Sequence, residues 1–113
     1  MSLSTHVLDA TTGRPAAGLR VRLERSGDDG WAPAGQGTTG PDGRLSMPGD
    51  PAAGAVQPGV YRITFDSGAY FTSRRAATFY PEVSITFEMT ERDEHYHVPL
   101  LLSPFAYSTY RGS

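Results

Sequence analysis

Apolar and polar residues alternate with a period of two along most of this chain, and helical spacing is nearly absent. Val83, Ile85, Phe87 and Met89, set against Ser84, Thr86, Glu88 and Thr90, give the cleanest stretch. Leu19, Val21 and Leu23 alternate with Arg20, Arg22 and Glu24, and Tyr61, Ile63 and Phe65 with Arg62 and Thr64. A strand with one buried and one solvated face produces this pattern. A first strand is expected around Ser4 to Asp9, with Thr5, Val7 and Asp9 on one face and His6 and Leu8 on the other. Trp31 to Thr38 reads as another. Two closing strands run from His95 to Pro104 and from Tyr107 into the end of the chain. Ser67 to Arg75 is the one plausible helix, and it is short.

Gly and Pro punctuate the remainder. Thr11 to Gly18 and Asp50 to Pro58 read as loops, Ser26 to Gly30 as a turn, and Glu91 to Glu94 as a charged turn. In Gly40-Pro41-Asp42-Gly43, Pro presets φ, Asp can cap its own turn and Gly accepts positive φ, so Arg44 projects from a constrained corner. Roughly seven or eight short strands with turns between them imply an all-β antiparallel β-sandwich with one short helix. Residues 1–113 form a single domain of ordinary size.

Charge and composition narrow the partners. Ten basic and twelve acidic residues give a net charge of −2, which carries no electrostatic footprint for nucleic acid. No apolar run approaches the ~20 residues that span a bilayer, so no membrane partner is expected. With no cysteine there is neither disulfide nor thiolate metal site. The first residues, Met1 to His6, lack the basic-then-apolar signature of a signal peptide, and a cytoplasmic location is the expectation.

Several residues can carry chemistry. His6 and His97 lie in the first and penultimate strands, which can be neighbours in a sandwich, so their imidazoles can converge. Singly, each also reads as a hydrogen-bonded strand residue. His95 and His97 share a strand face, but a His-x-His pair lacks the three or four ligands of an ordinary metal site, and no metal is expected. Arg44 is equally readable as a solvated hairpin arginine. A chain end normally frays. Here a strand delivers Tyr110-Arg111-Gly112-Ser113, holding a phenol, a guanidinium, a hydroxyl and the α-carboxylate beside one another. No Gly-x-Ser-x-Gly elbow makes Ser113 a nucleophile, and no Gly-rich phosphate loop precedes a helix.

Read together, these motifs resemble the transthyretin-like family. Ser4 to Asp9, Thr12-Gly13-Arg14-Pro15-Ala16 and the Leu19-Val21-Leu23 strand match its opening, and Thr39 to Arg44 its arginine-bearing turn. Glu94 to Pro104 and Tyr107 to Ser113 match its last two strands and closing signature. The histidines and the Tyr-Arg-Gly-Ser ending point to the branch that hydrolyses 5-hydroxyisourate rather than to the hormone carriers. The resemblance implies that His6, Arg44, His97 and Ser113 are catalytic and that His6, Arg44, Tyr110 and Arg111 bind substrate. It implies opening of the 5-hydroxyisourate ring to a carboxylated ureidoimidazoline on the way to (S)-allantoin. No metal or organic cofactor is implied, and the expected assembly is a homotetramer with sites at a dimer–dimer interface. Two other readings stand beside it, a small-ligand carrier on the same fold and a structural sandwich module of the kind found in adhesins and carboxypeptidase tails. The first half of the chain fits the module equally well; the second half does not.

Overall fold

A computed structural model describes residues 2–47, 57–91 and 94–113. Its elements are β1 (Ser2–Asp9), β2 (Arg14–Pro15), β3 (Arg20–Gly27), β4 (Gly30–Thr38), β5 (Arg44–Met47), β6 (Gly59–Phe65), α1 (Ser67–Ser73), β7 (Val83–Met89), β8 (His95–Ser103) and β9 (Ala106–Thr109). They form two sheets, one ordered β2-β1-β8-β9 with β5 also paired to β1, the other β4-β3-β6-β7. This is the expected sandwich. Most of the expected Asp50–Pro58 loop and the middle of the charged turn at Arg92 and Asp93 lie outside the described residues.

The alternation decides which side chains meet between the sheets. Leu3, Val7, Tyr96, Leu100 and Leu102 from one sheet face Val21, Leu23, Tyr61, Ile63 and Phe65 from the other, all buried. The odd-numbered residues of β1 are therefore inward, and its even-numbered residues (Ser2, Ser4, His6, Leu8) form part of the outer face. Across the sheet, β8 turns Tyr96, Val98, Leu100 and Leu102 inward, which leaves His95 and His97 outward.

Every strand pair is antiparallel except β1 with β8, which run parallel with Ser4 opposite His97 and His6 opposite Pro99. A parallel pair needs a long crossover, and here nearly the whole chain supplies it. On the other side of β1, the start of β5 sets Arg44 directly opposite His6.

Several boundaries differ from those expected, among them β9, which spans Ala106–Thr109 instead of running to the chain end. β1 starts at Ser2 rather than Ser4, because its backbone pairs with β8 from Ser2 opposite His95 and with β5 from Leu3 opposite Met47. A two-residue strand, β2, sits inside the expected Thr11–Gly18 loop. The helix stops at Ser73, and Arg75 just beyond it has φ 58°, a left-handed turn that ends the helical run. Tyr70 and Phe71 of α1 are buried, and the Tyr70 hydroxyl donates to Oδ2 of buried Asp9 at 2.9 Å. The Thr11 amide donates to Oδ1 at 2.9 Å. A carboxylate at the inner end of β1 is thus satisfied from both sides, and the helix is pinned to the sheet that carries the histidines.

Candidate active site

The outer face of the β2-β1-β8-β9 sheet gathers most of the polar residues singled out in the sequence. Its first pair comes from the Gly40–Gly43 turn. Gly43 has φ +75°, and a Cβ there would fall 2.5 Å from the Val7 carbonyl oxygen. The Val7 amide also donates to the Gly43 carbonyl at 2.9 Å, so the turn lies flat on β1. Asp42 accepts the Arg44 amide at 3.0 Å, closing an Asx turn. Arg44 then enters β5 opposite His6 on the same face, at the separation where facing side chains touch. Among the described residues the Arg44 guanidinium has no carboxylate partner. Its donors are available for a ligand.

His97 stands one strand over and is half-buried. Its Nδ1 is hydrogen bonded to the Ser4 hydroxyl at 2.8 Å, whereas Nε2 has no hydrogen-bond partner among the described residues. Burial lowers its proton affinity below the ordinary histidine value, and the nearby charges of Arg44, His6 and His95 push the same way. The ring is consequently neutral at pH 7, with one nitrogen free.

The chain end closes the edge of this face. In the register that pairs Leu100 with Thr109, Pro99 faces Tyr110 and His97 faces Gly112. Pro99 has no N–H to give the ladder, which explains why β9 ends at Thr109. The Thr109 hydroxyl instead donates to the Pro99 carbonyl at 2.7 Å. Pairing resumes once, where the Gly112 amide donates to the His97 carbonyl at 2.9 Å. Tyr110 shares the outer face and is 60% exposed.

The expected residues therefore divide. His6, Arg44, His97 and Tyr110 come together on one face. Ser113 follows at the exposed chain end. Arg111 turns the other way, its guanidinium 2.7 Å from Glu94 and 4.8 Å from the centre of the Tyr96 ring. The Tyr96 hydroxyl in turn accepts the amides of Thr90 and Glu91, at 3.0 and 2.9 Å. Arg111 fastens the tail to β8 on the side away from His97.

Ser4 joins this face without having been among the expected site residues. Its hydroxyl bridges Nδ1 of His97 and Nε2 of His95, both at 2.8 Å. The signal available was the run of outward polar positions Ser2, Ser4 and His6 along β1. Among the described residues no three His, Asp or Glu side chains are grouped to hold a metal ion. The face offers three imidazoles (His6, His95 and His97), a guanidinium and a phenol, a set suited to proton transfer and to binding a flat, oxygen-rich ligand.

A family model described as HIUase/Transthyretin family matches residues 3–112. The chain belongs to that family. Among its relatives, the 5-hydroxyisourate hydrolase of Salmonella dublin is 49% identical over 98% of this chain and 80% of its own length. A solved Klebsiella pneumoniae 5-hydroxyisourate hydrolase superimposes with a TM-score of 0.86 at 35% identity, covering 99% of this chain and 98% of that one. A sea bream transthyretin solved in complex with thyroxine gives the same TM-score, 0.86, at 31% identity, covering 97% and 93%. Fold similarity alone thus does not separate a 5-hydroxyisourate hydrolase from the thyroxine-bound transthyretin.

Proposed function

We propose that this member of the HIUase/transthyretin family is a 5-hydroxyisourate hydrolase, acting in urate degradation at the outer sheet face described above. The observation that carries the reading is His97, whose Nδ1 is held by Ser4 and whose Nε2 has no hydrogen-bond partner among the described residues, beside an Arg44 that faces His6 and has no carboxylate partner among them.

Nε2 of His97 takes a proton from water as the water oxygen attacks a ring carbonyl carbon of the substrate. A positioned base of this kind contributes about 10²–10⁴-fold. Arg44 directs its donors at the carbonyl oxygen, where negative charge develops. The adjacent ring C–N bond then breaks, and its nitrogen takes back a proton. His6 orients water or substrate between Arg44 and His97. Tyr110 lies against the ring, and Ser113 borders the pocket. Arg111 holds the tail in place through Glu94 and Tyr96.

The assembly in this reading is a homotetramer with the sites between subunits. Its support is the open edges left by β7 and β9 and the exposure of Leu101 and Tyr110 beside the site, at 40% and 60%. A second copy laid on this face would cover those apolar groups and exclude water from the reacting centre.

The test is product identification. 5-Hydroxyisourate made in the tube by urate oxidase is mixed with the protein, and the ring-opened product is followed by ¹³C NMR. Its early accumulation supports the hydrolase. The carrier reading, favoured by the likeness to the thyroxine-bound sea bream protein, expects tight binding of an aromatic ligand and no product.

A further inference from the structure

The outer face of β1 and β8 carries an unbroken run of hydrogen bonds that the proposed chemistry does not use. Oγ of Ser2 lies 2.5 Å from Nδ1 of His95, Nε2 of His95 lies 2.8 Å from Oγ of Ser4, and Oγ of Ser4 lies 2.8 Å from Nδ1 of His97. Parallel pairing makes the run possible. Ser2 stands opposite His95 and Ser4 opposite His97, so hydroxyls and imidazoles alternate along two adjacent strands. One end is the exposed Ser2, and the other is the half-buried ring whose Nε2 is free.

We infer that Ser4 and His95 are positioning residues that form a reversible proton relay, Ser2–His95–Ser4–His97, between solvent and Nε2 of His97. Each member can donate on one side and accept on the other, so the run has two polarities. In one, His97 donates Nδ1–H to Ser4, Ser4 donates to Nε2 of His95, and His95 donates Nδ1–H to Ser2. Nε2 of His97 is then bare and acts as the base. When it takes a proton from the attacking water, the Nδ1 proton passes to Ser4, the Ser4 proton to His95, the His95 proton to Ser2, and the Ser2 proton to solvent. One proton enters, one leaves, and His97 ends neutral with Nε2–H. When the ring C–N bond breaks, Nε2–H goes to the leaving nitrogen and the relay runs backwards, drawing one proton from solvent through Ser2.

The setting gives such a relay a reason. A histidine acting alone becomes an imidazolium between the two steps, and His97 sits where burial and the Arg44 guanidinium both oppose that charge. A ring that passes one proton on as it receives another never carries the full charge. Arg44 can then stay close enough to stabilise the substrate oxygen without disabling the base.

This inference rests on the proposed hydrolase activity, and the experiment separates the two. Turnover of 5-hydroxyisourate is measured in H₂O, D₂O and their mixtures for the wild type, Ser4→Ala, Ser4→Thr and His95→Gln. The glutamine can still hydrogen bond to Ser4 but cannot pass a proton. The relay expects a bowed dependence of kcat on deuterium fraction in the wild type, from several protons moving together. It expects a fall of at least tenfold in kcat for Ser4→Ala and His95→Gln with a linear dependence, and recovery of most of the loss in Ser4→Thr. A folded Ser4→Ala or His95→Gln protein with wild-type kcat and the same curve overturns the relay and leaves the hydrolase intact. A folded wild type without turnover overturns both. ¹⁵N NMR of the His97 ring adds a reading independent of turnover: loss of the Ser4 hydroxyl must change its tautomer populations, and an unchanged spectrum counts against the relay.

Discussion

Gly112 lies directly on the imidazole of His97. Its amide donates to the His97 carbonyl, and a Cβ on Gly112 would fall 2.5 Å from His97 Cδ2 and 3.1 Å from Pro99 Cγ. The glycine is needed for close approach, since any side chain there must displace the ring or the tail. Gly112→Ala is expected to lower kcat by on the order of 10²-fold, the effect of misplacing a reacting group by about 1 Å. The thermal midpoint should fall by only a few degrees, because the contact is at the edge of the sheet. Steady-state kinetics and calorimetry on the same sample check both expectations.

Gly43 is a glycine for a different reason. Its positive φ and the 2.5 Å approach of a Cβ to the Val7 carbonyl oxygen both act against any side chain. Gly43→Ala must loosen the turn that sets Arg44 opposite His6. Stability is expected to fall by about 1–3 kcal/mol, together with a higher KM. Denaturant unfolding and substrate titration measure the two effects. A variant with unchanged stability would show that the turn is not strained against β1.

The lowered proton affinity of His97 fixes the sign of a pH effect. The ring is neutral above its pKa, which lies below the ordinary 6.5. The acid limb of kcat/KM should therefore lie below pH 6.5. The folded state also resists protonation that the unfolded chain accepts, so this group's contribution to stability is full above 6.5 and is lost as pH falls through the folded pKa. Arg44→Ala removes one cause of the shift and should move the His97 titration upward, which NMR of its ring protons follows directly. A downward movement would contradict the placement of Arg44.

Tyr70 gives a stability test remote from the chemistry. Burial, followed by its hydrogen bond and proximity to the Asp9 carboxylate, pushes its phenol up to about 12 from 10.0. A raised folded pKa means a contribution present below pH 10 and lost as pH rises through 12. Tyr70→Phe should remove that part of the alkaline loss. At neutral pH it should cost about 1–3 kcal/mol, because buried Asp9 is left with the Thr11 amide alone. Urea unfolding at pH 7 and pH 11 distinguishes the two effects.

The strands were legible because alternation is a direct imprint of a half-buried sheet, and β7 was expected over the residues it occupies. The Arg44 turn was legible because Pro, Asp and Gly each impose their own backbone geometry. Pairing was not legible, since period two states which face is buried but not which strand lies alongside. That β1 and β8 run parallel, and so bring Ser4 to His97, could not be read from either strand alone. The direction of Arg111 was hidden for a related reason. Residues 110 and 111 alternate faces, and only the register with Pro99 decides which of them joins His97.

The central claim is that His97 is the base of a ring-opening hydrolase. Its most direct test is the absorbance decay of 5-hydroxyisourate, generated by urate oxidase and followed by stopped flow, with wild-type protein and with His97→Ala. Decay is expected to accelerate in proportion to wild-type protein and to return close to the spontaneous rate with His97→Ala, while circular dichroism and solution mass stay those of the wild type. Spontaneous decay with folded wild type, or wild-type acceleration by His97→Ala, would contradict it.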